Sequence, residues 1–94
     1  MTKYVYTTKN LKSGNFNVPQ FHDFKKEDAA EVFAISAREI KDVEMLKELD
    51  VYYLGTFDTK TGLFAPEVEF VLSLASVLGD KDGEGKYKLN FWSK

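Results

Sequence analysis

The chain has no cysteine, one histidine and two prolines among its 94 residues. Without cysteine it can form neither disulfides nor thiolate metal sites. With His22 alone, a histidine-based zinc site or a His-dependent nucleophilic triad lacks its parts. No apolar run approaches the roughly 20 residues of a membrane-spanning helix, and the opening MTKYVYTTKN has no apolar signal-peptide centre. The expectation is a cytosolic protein with no membrane partner. Net charge is also small, at −2, which speaks against a strongly basic nucleic-acid binder.

What is present is apolar and aromatic. Hydrophobic residues make up 44% and aromatics 15%, too rich for a disordered chain, so a packed fold is expected. The length suits one domain near the lower end of what buries its own core, a limit that a homodimer relieves. Charge is unevenly spread. Residues 1–26 carry five lysines against one aspartate, residues 27–80 four basic against twelve acidic, and residues 81–94 four lysines against two acids. Basic ends around an acidic middle suit an anionic partner, and lysine-rich strands equally suit protection of sheet edges.

Residues 3–8, KYVYTT, read as a strand of β-branched and aromatic residues. NLKSG supplies a turn and NFNVPQF a return segment, which Pro19 confines to a sheet edge because it cannot donate to a ladder. From about Lys25 to Lys41 the period becomes helical, with Ala29, Phe33, Ser36, Ala37 and Ile40 on one stripe. Asp23 and Asp28 are the two candidate caps, the latter with Glu31 at capping-box spacing. Residues 42–49 suggest a short second helix. DVYYLGTF is the clearest strand and DTKTG its turn. Pro66 and Gly79 would frame a helix, but Val68, Phe70, Leu72 and Leu74 alternate with Glu67, Glu69 and Ser73, which favours a half-buried strand over 67–73 followed by a helical turn. Residues 79–86 read as a glycine-rich loop, and YKLNFW as a last strand or a tail. The fold class expected is α+β: two hairpins forming an antiparallel sheet of four to five strands, with one main amphipathic helix on one face. Residues 1–78 would form the domain and 79–94 the loop and tail or edge strand.

The two hairpins echo each other. At an offset of 48 residues, Tyr4, Thr8, Lys12, Gly14 and Phe16 match Tyr52, Thr56, Lys60, Gly62 and Phe64, with Asn10 against Asp58 and Ser13 against Thr61. Convergent hairpin chemistry accounts for this, as does one plan used twice in a single sheet. Either way a lysine stands at each tip and an aromatic on each return strand.

Little of the rest carries chemistry. Glu39, Asp42, Glu44, Glu48 and Asp50 have no ordered ligand spacing and read as a solvated face rather than a magnesium site. His22 lacks an identifiable nucleophile, and neither LKSG nor TKTG completes a phosphate-loop pattern. No catalytic residue, metal or cofactor is expected, and the chain does not read as an enzyme. Aromatics interleaved with lysines do meet the requirements of a single-strand nucleic-acid platform. Lys3, Lys9, Lys12, Lys25 and Lys60 would meet phosphates, and the exposed members of Tyr4, Tyr6, Phe16 and Tyr53 would stack on bases.

At YYLGTFDTKTGLFAP the chain resembles the small nonstructural protein of gokushovirus-type microviruses, tailless phages with circular single-stranded DNA. The resemblance extends over Tyr4 to Phe21 and to Asp28, Ala29 and Phe33, covers roughly residues 3–75, and leaves the tail from Gly79 unmatched. It implies a bacteriophage protein of the host cytoplasm that binds single-stranded DNA in genome replication or packaging, and it supplies no catalytic residues. The alternative is a non-catalytic protein-interaction factor in phage assembly or host takeover, bound to a phage or host protein. Lysines gathered on one side of the sheet would favour DNA; an exposed apolar patch without a basic rim would favour a protein partner.

Overall fold

A computed structural model describes residues 1–40, 42–81 and 87–89. Strands β1 (Thr2–Asn10), β2 (Gln20–His22), β3 (Leu49–Asp58) and β4 (Phe64–Ser73) form one antiparallel sheet in the order β2-β1-β3-β4. Each hairpin therefore gives its first strand to the centre, where β1 pairs with β3. Helices α1 (Lys26–Ala37) and α2 (Val43–Leu46) lie between the hairpins in sequence. This is the α+β arrangement read from the sequence.

Several local expectations are corrected. Neither Asp23 nor Asp28 caps α1: Lys25 holds the N-cap position with extended backbone and no side-chain bond. Glu27 and Asp28 instead occupy the first turn, where carboxylates meet the positive end of the helix dipole. Asp42 does cap α2, its carboxylate accepting from the Met45 N–H at 3.1 Å. The return segment of the first hairpin is not a continuous strand. Phe16 forms an isolated bridge with Lys9, and regular pairing resumes only at Gln20, beyond Pro19. The ambiguous region after Pro66 is a strand as far as Ser73, then a 3-10 turn over Leu74–Val77. Residues 79–81 belong to a strand, not a loop: β5 (Leu78–Lys81) pairs with β6 (Tyr87–Leu89) in a second, two-stranded sheet. The expected loop over 82–86 and the end of the tail from Asn90 lie outside the described residues.

The echo in sequence is an echo in hydrogen bonding. In the first turn Gly14 N–H donates to the Asn10 carbonyl at 2.8 Å; in the second, Gly62 N–H donates to that of Asp58 at 2.7 Å. Lys12 N–H and Lys60 N–H each donate at 2.9 Å, to Oδ1 of Asn10 and of Asp58. Gly14 and Gly62 take φ of 76° and 77°, the left-handed region that closes such turns. A two-fold relation between the hairpins extends into β1 and β3, where Tyr4 faces Thr56, the counterpart of Thr8. It breaks at a bulge. Val5 pairs with Gly55 and Tyr6 with Tyr53, which leaves Leu54 as the extra residue. Gly55 has φ +136°, and a Cβ there would lie 2.1 Å from the Ala65 carbonyl oxygen, so the bulge requires glycine. Beyond the slip every side chain changes face. Tyr4 and its counterpart Tyr52 consequently point to opposite sides.

Two buried clusters make the core. Tyr6, Ala29 and Tyr53 form one, with Tyr4, Phe24, Phe33 and Val71 against it. Ala34 and Ala37 of α1 join Leu46, Val51, Leu72, Leu74 and Val77 in the other. The small alanines of α1 thus lie among the large side chains of the sheet and the 3-10 turn.

Candidate interaction face of the sheet

The residues expected to bind DNA do not assemble. Tyr6 and Tyr53 are 1% and 4% exposed, so neither offers a ring face to a base. Tyr6 donates its hydroxyl proton to the Phe24 carbonyl at 2.9 Å, and burial first, then Tyr53, pushes its pKa upward. Burial likewise raises the Tyr53 hydroxyl. Tyr4 is half-buried beside them. Of the adjacent tyrosines in β3, it is Tyr52 that points outward, edge-on to Phe16 and to Phe70 at centroid distances of 5.2 and 5.7 Å.

The lysines are scattered and mostly engaged. Lys3 bonds Asp23 Oδ1 at 2.5 Å, and Lys12 meets Glu48 at 3.0 Å. Lys9 lies 5.4 Å from the centre of the Phe16 ring. Lys25 is exposed before α1, and Lys60 is at the second turn. The two tips stand at opposite ends of the central strands, because Asn10 pairs with Leu49 and Asp58 with Thr2. Eight strand steps of about 3.3 Å put roughly 26 Å between them. That exceeds the ~8 Å screening length at physiological salt, so Lys12 and Lys60 do not reinforce each other. Lys26, not among the expected residues, sits over the Tyr53 ring and reaches Glu69 at 2.7 Å and Glu67 at 3.5 Å. Its hydrogen bond to Glu69 is the main cause that raises its pKa.

The structure brings together a different set. Side chains alternate across a strand, so Val5 points away from Tyr4 and Tyr6, toward the side that the core clusters do not use. On that side an apolar groove of about 490 Å³ runs across the sheet. Val5 and Leu54 form its floor, one on each central strand. Val18, Pro19 and Phe21 of the first return segment make one wall; Phe64, Pro66 and Val68 of the second make the other. Every lining residue is apolar. Val18 is 84% exposed, Val68 66% and Phe21 54%. Tyr52, Phe16 and Phe70 extend the surface along the same face, and Phe57 meets Phe21 edge-on at 5.4 Å.

The alternation in β4 is real, but its apolar phase divides: Leu72 and, just past the strand, Leu74 are buried in the core, whereas Val68 and Phe70, before the irregularity in the β3–β4 pairing, are exposed. Residues 64–70 are all exposed; Glu67 and Glu69 reach toward Lys26, while Phe64, Pro66, Val68 and Phe70 make up the open side. The groove residues were missed because alternation identifies an apolar face without saying what covers it. A usable signal was present: Val5 between two tyrosines and Leu54 after two give the central strands apolar side chains in both phases.

Among the described residues no group of three His, Asp or Glu side chains converges as metal ligands, and no helix is long and apolar enough to cross a membrane. Compared with protein-family models, curated proteins and solved structures, the chain matches none of them.

Proposed function

We propose that this is a non-catalytic protein-interaction module whose working surface is the open apolar face of its sheet. The observation that carries this reading is the groove between the two return segments. Its lining is wholly apolar and, above the buried Val5, open to solvent; the two lysines described on the same face are engaged, Lys3 by Asp23 and Lys9 over the Phe16 ring. Contiguous apolar surface of this kind on a small domain marks a binding site for another apolar surface. A role in phage assembly or host takeover rests on the sequence resemblance alone, as does the host cytoplasm as its setting.

Single-stranded DNA is the second reading. One observation favours it: Phe16, Phe21, Phe64 and Phe70 expose rings on one face, with Lys9 beside Phe16, and exposed rings are what bases stack upon. Against it stands the engagement of Lys3, Lys12 and Lys26 by acids. The two readings part in one experiment. Anisotropy titrations of labelled oligothymidine and of an apolar peptide array, each across a salt series, should show peptide binding that is insensitive to salt and lost in Val68→Asp. Tight oligothymidine binding that weakens steeply with salt would reverse the order of the two.

A further inference from the structure

We infer that the occupant of the open face is a second copy of this chain, the two sheets meeting face to face as a sandwich. This rests on the interaction reading above and specifies its partner. Size is the first argument. Strands β1, β3 and β4, of nine or ten residues each, and the shorter return segment 16–22 beside β1 lie about 4.8 Å apart and rise about 3.3 Å per residue, which gives the face roughly 600 Å² in projection. A stable interface takes about 800 Å² of accessible surface from each partner, and side-chain relief brings a face of this projection close to that figure. A short peptide in the groove would leave Tyr52, Phe16 and Phe70 uncovered; an equal sheet covers them together with the groove.

Charge is the second argument. An isologous interface sets each residue's surroundings against the same patch of the partner, so a charged face repels its own copy. Here the groove itself carries no charge; of the charged groups on the same face, Lys3 is paired with Asp23, and Lys9 stands over the Phe16 ring opposite Asp50 in the β1–β3 pairing. The third argument is shape. Groove walls come from equivalent segments of the two hairpins, with Val18 and Pro66 in corresponding positions at the 48-residue offset. The trough between the two return segments, with the Phe16–Tyr52–Phe70 ridge beyond it on the same face, offers the ridge and groove that two sheets need to interdigitate.

Sedimentation equilibrium of the full chain over a wide concentration range tests this. A reversible dimer is expected, with Val68→Asp and Phe21→Ser each raising its dissociation constant more than about tenfold, as for central interface residues. Ile35→Asp, at an exposed apolar position on α1, should leave the dimer intact. Circular dichroism of each variant establishes that it is folded. A wild-type chain that stays monomeric, or a dimer indifferent to both open-face substitutions, overturns the inference. Binding of the apolar dye anilinonaphthalene sulfonate separates the two levels of failure. A monomer whose dye binding disappears in Val68→Asp loses the second copy and keeps the interaction face. A monomer whose dye and peptide binding both ignore Val68→Asp loses the interaction reading as well.

Discussion

The two sides of this sheet are both apolar, yet only one is a core. Tyr6, Tyr53 and Val51 are buried among the alanines of α1 and the 3-10 turn, while Phe21, Val68 and Phe70 of the same sheet, and Val18 just before β2, are exposed on the other side. If burial followed hydrophobicity alone, the two sides would be equivalent. Val5, beneath the groove, is as buried as the core, but the exposed apolar residues above it contribute little to the isolated fold, since their area stays in water.

Truncating one large ring on each side of the sheet should separate the two sides most clearly. Tyr6→Ala should cost about 3–5 kcal/mol, because it opens a cavity beside Phe24, Phe33 and Tyr53. Phe21→Ala should cost below about 1 kcal/mol at protein concentrations too low for association. Denaturant titrations that gave similar losses would show that both sides act as core. Next comes the seam between the sides. Gly55→Ala forces a Cβ into the Ala65 carbonyl at a strained backbone angle, and should cost about 2–3 kcal/mol. The bulge is what brings Leu54 to the groove floor, so the variant should also alter exchange protection along β3 and β4.

Smaller effects sharpen the register that decides which residue faces where. Gly14→Ala and Gly62→Ala should each cost about 1 kcal/mol, since both glycines hold positive φ with open space around them. Unequal costs in thermal melts would show that the matching turns differ in energy. Acid titration distinguishes them further. The Lys60 backbone N–H is the main cause that holds the Asp58 carboxyl below its ordinary value near 3.8. A lowered folded pKa adds stability that is present above the unfolded value and is lost as pH falls through the folded one. Asp58→Asn keeps the acceptor and should remove that part of the acid sensitivity in acid-unfolding curves. Asn10, which makes the same bond in the first turn, already lacks it.

Much of this fold could be read locally. Turn chemistry at Asn10–Gly14 and Asp58–Gly62, the helical stripe through Ala29, Phe33 and Ala37, and the alternation over 67–73 are properties of neighbouring residues, and each gave the right element. What could not be read depends on residues distant in sequence. The bulge at Leu54 exists only because β3 pairs with β1, and it decided that Tyr53 went inward and Tyr52 outward. Lys12 meets Glu48 and Lys3 meets Asp23 only after folding, so a basic N-terminal segment did not become a basic surface. The candidate face was the least legible part, because it depends on which side of the sheet the described residues leave open.

The most direct test takes Val68→Asp and wild type side by side, and measures the denaturation midpoint at high dilution together with binding to apolar peptides. Folding free energies should agree within about 0.5 kcal/mol, as for an exposed position, and peptide binding should be lost in the variant. Binding retained, or lost only because the fold is lost, would contradict the interaction reading.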